Sequence, residues 1–185
     1  MMAQRSALLT RATWRQVWTS IPTANRRWIV VNALAVSAVI NVAINLTIAW
    51  AGTRGAHVVA LWAPPGRPST IFDTLCTTFM LPLFTALTCT PGVLRDRRAR
   101  RIETLPLESD VGRLLGRLPR PLLPRALWLA SVTAAVVGPV ALVALVVSGV
   151  GDLSVSSFLV FKVAYAVALG AIVTPVVAAA AMVGR

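Results

Sequence analysis

Two ionisable side chains stand inside apolar runs of this sequence: Asp73, two residues into the run 71–90, and Lys162, seven residues into the run 155–183. An unpaired charge in hydrocarbon costs ~2.5–3.5 kcal/mol even on lenient insertion scales, so an acid and a base there are expected to pair and to serve a function. Helical rise of ~1.5 Å per residue puts Asp73 ~11 Å and Lys162 ~10 Å from the midpoints of their runs, on the same side. Asn45 comes out ~8 Å from its own midpoint, in the same layer. The expectation is therefore an Asp73–Lys162 pair with Asn45 adding a hydrogen bond. The competing reading is that Lys162 snorkels to the headgroups and Asp73 caps its helix.

Other polar residues in the apolar runs recur at helical spacing. Ser37, Asn41 and Asn45 fall at i, i+4 and i+8. Thr74, Thr78, Pro82, Thr85 and Cys89 follow one helical row, with Asp73 and Thr77 beside it. Gly138–Pro139, Gly170 and Thr174–Pro175 interrupt the later runs, and Ala164/Ala168 and Ala166/Gly170 have the small-xxx-small spacing that lets helices approach closely. Such residues serve either as interhelical glue or as the wall of a solute path. Asp73, Lys162, Asn45, Asn41 and Thr77 are the expected intramembrane polar site.

Chemistry of other kinds has no footing. Neither a metalloprotease helix, a phosphate-binding loop nor a dinucleotide glycine pattern is present. His57 is the lone histidine, and Cys76 and Cys89 sit ~20 Å apart along one helix, too far to bridge. No enzyme, no metal centre and no cofactor is expected.

The elements that must position these residues follow from composition. Of 185 residues, 57% are apolar and 13% charged, and 18 basic against 6 acidic residues give a net charge of +12. Soluble domains carry roughly twice that charge fraction. A soluble enzyme, a disordered tail and a disulfide-built secreted domain are excluded. Four runs, 28–51, 71–90, 126–148 and 155–183, reach the ~20 residues that a helix needs to cross a bilayer. The chain is thus read as an all-α membrane protein, a four-transmembrane-helix bundle.

Arginine is distributed unevenly between the runs. Segment 1–27 holds five, 52–70 two, 91–125 nine, 149–154 none and the tail one. By the positive-inside rule both termini and the 91–125 loop are cytoplasmic. No cleavable signal peptide is expected, because 1–27 lacks an apolar core of that type. The preference for arginine over lysine, with abundant alanine and valine, points to a high-GC bacterial genome and hence to a plasma membrane.

The basic segments read as interfacial amphipathic helices. In 4–21, Ala7, Trp14, Val17, Trp18 and Ile21 share one face. In 110–118, Val111, Leu114, Leu115 and Leu118 do so, with Pro119 as a stop. Irregular linkers are the alternative for both. Arg95, Arg97, Arg98, Arg100 and Arg101 either bind anionic lipid headgroups at the inner leaflet or only fix orientation during insertion. Nucleic acid is not an expected partner, since no aromatic interleaving or recognition module accompanies the charge.

Each half of the chain pairs a basic segment with a helical hairpin, and Phe72–Asp73 before Pro82 parallels Phe161–Lys162 before Pro175. A pseudo-two-fold axis along the membrane normal would set the acid and base face to face. Asp73 leading to Leu81–Pro82, the stretch Leu118–Pro119–Arg120, and Phe161–Lys162 leading to Thr174–Pro175 make residues 28–180 resemble small, uncharacterised bacterial four-helix integral membrane proteins. The resemblance implies the topology and carries no activity. Two functions remain in view: a small permease- or channel-like protein, or a non-catalytic accessory subunit or scaffold that binds a partner or anionic lipid. A homo-oligomer or a partner membrane subunit is expected in either case. A lipid-modifying enzyme would need a catalytic constellation that the sequence lacks.

Overall fold

A computed structural model describes residues 19, 21–64, 66–106, 112 and 115–183. They form four helices long and apolar enough to cross a membrane: α1 (Thr23–Gly52), α2 (Thr70–Arg98), α3 (Leu122–Val147) and α4 (Val155–Met182). Large apolar side chains cover their outer faces, including Val39 and Ile48 of α1 and Val136, Val140 and Val143 of α3. In a soluble protein such surfaces would drive association; in a bilayer they meet acyl chains. In α1 the stretch Ile29–Ala35 winds as a π-helix, while 36–52 is regular.

Hydrophobic patterning puts the expected runs at 28–51, 71–90, 126–148 and 155–183; α1, α2 and α3 extend beyond theirs at one or both ends, whereas α4 stays within its own. α2 continues past Pro91 to Arg98, so Arg95, Arg97 and Arg98 stand on a helix rather than in the loop 91–125. Pro91–Gly92 reads locally as a break, because proline removes a helical hydrogen bond. Packing overrides it: Val93 is fully buried among Ala178, Ala181 and Met182 at the end of α4. The helix then ends with Arg100 in the left-handed region (φ 55°) and the Arg101 N–H on the Asp96 carbonyl at 2.9 Å.

The helices are not neighbours in chain order. α2 packs against α3 and α4, and α4 packs also against α1, whereas α1 and α2 touch little. The spatial order is therefore α1–α4–α2–α3. Each hairpin places its second helix at the centre, and its first helix leans on the central helix of the other hairpin. This arrangement maps α1 onto α3 and α2 onto α4. At the end where α2 and α4 begin, the two connections join in a two-stranded antiparallel ladder, β1 (Val58–Val59) with β2 (Leu153–Ser154), paired Val58 to Ser154 and Val59 to Leu153. Ser69 and Ser154 cap α2 and α4 there, accepting from the Phe72 and Ser157 N–H groups.

The opposite, arginine-rich end is closed by the segment after α2. Asn25, with no exposed surface, donates to the Glu103 carbonyl and accepts from the Glu103 N–H, each at 2.8 Å. The Leu105 N–H donates to the Met182 carbonyl at 2.9 Å. Trp28 Nε1 donates to Asp96 at 2.8 Å, tying α1 to the end of α2. Leu115 and Leu118, expected on a leaflet-facing helix, instead pack against the bundle core. Buried area there comes from α2, α3 and α4, which outcompete the lipid for these leucines. The remainder of that expected helix (110, 111, 113 and 114) and 4–18 of the N-terminal segment lie outside the described residues; Ile21 is buried in the core at the arginine-rich end.

Candidate functional site

α2 and α4 run parallel through the middle of the bundle, both starting at the strand-capped end. Lys162 stands two turns into α4 and is 3% exposed; its ammonium donates to Asp73 Oδ1 in the first turn of α2. Neither element of the competing reading holds in this geometry. The α2 cap is Ser69, and the Lys162 side chain is buried with its amine on Asp73. The carboxylate has 23% of its surface exposed and sits at a helix N-terminus, where the helix dipole favours an anion. The ammonium has no such support apart from its partner.

A seam of polar groups continues from the pair toward the arginine-rich end. Thr78 shares a 2.6 Å hydrogen bond with Tyr165 and also donates to the Thr74 carbonyl at 2.6 Å. Tyr165 stacks on Phe161, one turn back on α4. Across the other face of α4, Thr174 donates to Ser37 at 3.4 Å, and Asn41 donates to the same hydroxyl at 3.3 Å. Gly170 makes this approach possible: a Cβ there would come within 3.2 Å of the Asn41 amide nitrogen. Two α2 hydroxyls break the pattern of satisfied groups. Those of Thr70, at the helix start, and Thr85, near its middle, are buried and have no hydrogen-bond partner among the described residues.

The structure brings Asp73 and Lys162 together, and it leaves the other expected members beside them. Asn45 donates to the Asn41 carbonyl at 2.9 Å, and among the described residues no hydrogen bond joins it to the pair. The reason is the helix order. α1 packs antiparallel to α4, with Asn41 opposite Gly170 and Ser37 opposite Thr174. That register sets Asn45 opposite Ala166, one turn short of Lys162. Asn41 lies deeper in the same seam, and Thr77 is buried one turn past Asp73. Ala166 and Gly170 are buried at the helix contacts, whereas Ala164 and Ala168 face outward and do not serve close packing. Tyr165 was not singled out by spacing; as the only tyrosine in the chain, three residues after Lys162, it was the available signal.

The five arginines of 95–101 separate by helical phase. Arg97 turns to α4 and donates to the Ala181 and Val183 carbonyls at 3.4 and 3.3 Å, capping that helix end. Arg101 pairs with Asp96 at 3.4 Å. Arg95 and Arg98 turn the other way and line a cavity toward α3, and Arg100 is exposed. Among the described residues no cluster of three or more His, Cys, Asp or Glu side chains is placed to hold a metal. No protein-family model, curated protein or solved structure matches this chain.

Proposed function

We propose that this multi-pass membrane protein is permease- or channel-like, passing a small polar or charged solute along the seam between α2 and α4. The observation that carries the reading is the Asp73–Lys162 pair followed, one turn along the same α2–α4 seam, by the Thr78 and Tyr165 hydroxyls among apolar helices. Ionisable groups at that depth are costly and mark ion and solute pathways. The unpartnered Thr85 hydroxyl, further along the same helix, is satisfied by a hydrated solute in transit. Because Thr78 and Tyr165 are hydrogen-bonded across α2 and α4 at 2.6 Å, passage requires α2 and α4 to part, and the Asp73–Lys162 pair is the latch. Proteoliposomes containing the protein are expected to release protons, potassium or a small neutral polar solute at least tenfold faster than protein-free vesicles. The folded Asp73→Asn/Lys162→Met variant is expected to lose that release. Vesicles as tight as the protein-free control to all three would end the reading.

The same tight packing supports a second function, an accessory subunit or scaffold whose polar seam only locks its helices. Purification without crosslinker decides between them: a reproducible foreign membrane subunit, with no release from vesicles, favours the accessory role.

In both readings the arginine-rich end faces the cytoplasm of a bacterial plasma membrane. Support comes from the ladder that puts the arginine-poor connections 52–70 and 149–154 at one end. A reporter active only in the cytoplasm is expected to work after Arg101 and Arg185 and to fail after Arg67. Activity after Arg67 would invert the orientation.

A further inference from the structure

We propose that the cavity between the end of α2 and the start of α3 binds the phosphate of an anionic phospholipid, at the end of the bundle away from the Asp73–Lys162 pair. The cavity has a volume of about 420 Å³ and is lined by Arg95, Arg98, Arg120 and Arg125, with Leu94 and Leu122 among its apolar walls. Among the described residues no carboxylate lines it. Arg95 and Arg98 are three residues apart on α2 and share a side of the helix. Arg120 is exposed and precedes α3, while Arg125 is buried in its first turn and already engaged within the protein, so that Arg95, Arg98 and Arg120 are the groups offered to a ligand. Asp96 Oδ1 stands 4.0 Å from Arg95 and closer, 3.4 Å, to Arg101, while its Oδ2 accepts from Trp28. The start of α3 adds to the field: its cap is Pro121, and no acidic residue stands in its first turn.

Guanidinium groups converging on a concave site match a phosphodiester, which accepts bidentate hydrogen bonds from arginine. Basic pockets between transmembrane helices bind anionic headgroups on this pattern. The walls decide between a lipid and a free anion. Leu94 and Leu122 inside the cavity, and exposed Leu123, Leu127 and Trp128 in the first turns of α3, offer apolar surface to the glycerol and acyl chains next to the arginines. A free phosphate would use the guanidinium groups and leave that surface idle. The site is a subset of the basic region: Arg97 and Arg101 are engaged elsewhere, and Arg100 does not line it.

The test titrates the detergent-purified protein with dioleoyl phosphatidylglycerol, with dioleoyl phosphatidylcholine and with inorganic phosphate, reading bound lipid by native mass spectrometry and Tm by thermal unfolding. Phosphatidylglycerol is expected to bind at least tenfold more tightly than phosphatidylcholine and to raise Tm. Arg98→Gln/Arg120→Gln is expected to weaken it about tenfold, and Arg27→Gln/Arg100→Gln, with the same loss of charge at exposed residues outside the cavity, by less than twofold. Equal weakening by the two pairs would reduce the effect to diffuse surface charge and overturn the site. Equal binding of the two lipids by the unaltered protein would overturn it without any variant. Displacement of phosphatidylglycerol by millimolar phosphate would make it a free-anion site instead.

Discussion

Asp73→Asn destabilises the bundle by about 3–5 kcal/mol, the cost of stranding one member of a buried ion pair. Lys162→Met costs less, because the two partners are not equally buried. Removing the carboxylate leaves an ammonium that is 3% exposed, with no route to water; removing the ammonium leaves a carboxylate with 23% of its surface exposed at a helix N-terminus. The double variant Asp73→Asn/Lys162→Met recovers most of the loss, since a neutral amide and a thioether have no charge to desolvate. Reversible unfolding in mixed micelles measures all three. An equal cost for the two single variants, or a double variant worse than either, would remove the pair from the account of stability.

Asn25→Ala is expected to cost about 1–3 kcal/mol, because it removes two part-buried hydrogen bonds to the Glu103 peptide at ~0.5–1.5 kcal/mol each. The effect should be local before it is global. Asn25 holds the chain after α2 beneath the bundle, and Leu105 is then carried onto the end of α4. Trypsin cleavage after Arg100 and Arg101 is therefore expected to accelerate at least tenfold in detergent solution, while the spans stay protected. An unchanged cleavage rate together with a cost below ~0.5 kcal/mol would mean the clamp carries no weight.

The legible parts of this molecule were those that depend on one helix at a time. Span length and hydropathy located all four helices, because crossing hydrocarbon imposes a length on each separately. Rise per residue alone put Asp73 and Lys162 in one layer. What a single helix cannot report is its neighbour. Asn45 has the right depth, but α1 lies against α4 in a register one turn away from Lys162. The run 95–101 reads as five equivalent charges, yet helical phase sends Arg97 to the end of α4 and Arg95 and Arg98 to the cavity by α3. The continuation of α2 through Pro91 was hidden for the same reason: burial of Val93 against α4 outweighs the local break. The Asn25–Glu103 clamp spans 78 residues of sequence and leaves no periodic trace.

The interlocked order of the hairpins has a consequence for how the protein is made. α1 emerges first, and the helix it rests on, α4, is the last to be synthesised, about a hundred residues later. At ~5–20 residues per second, α1 waits for α4 about 5–20 s and α2 about 3–11 s. Through that interval Asp73 has no counter-ion, and its place at the mouth of a helix lets it keep water. Lys162, the member with no access to water, is delivered only once the acid is already in position. The residue that tolerates solitude comes early, and the one that does not comes late.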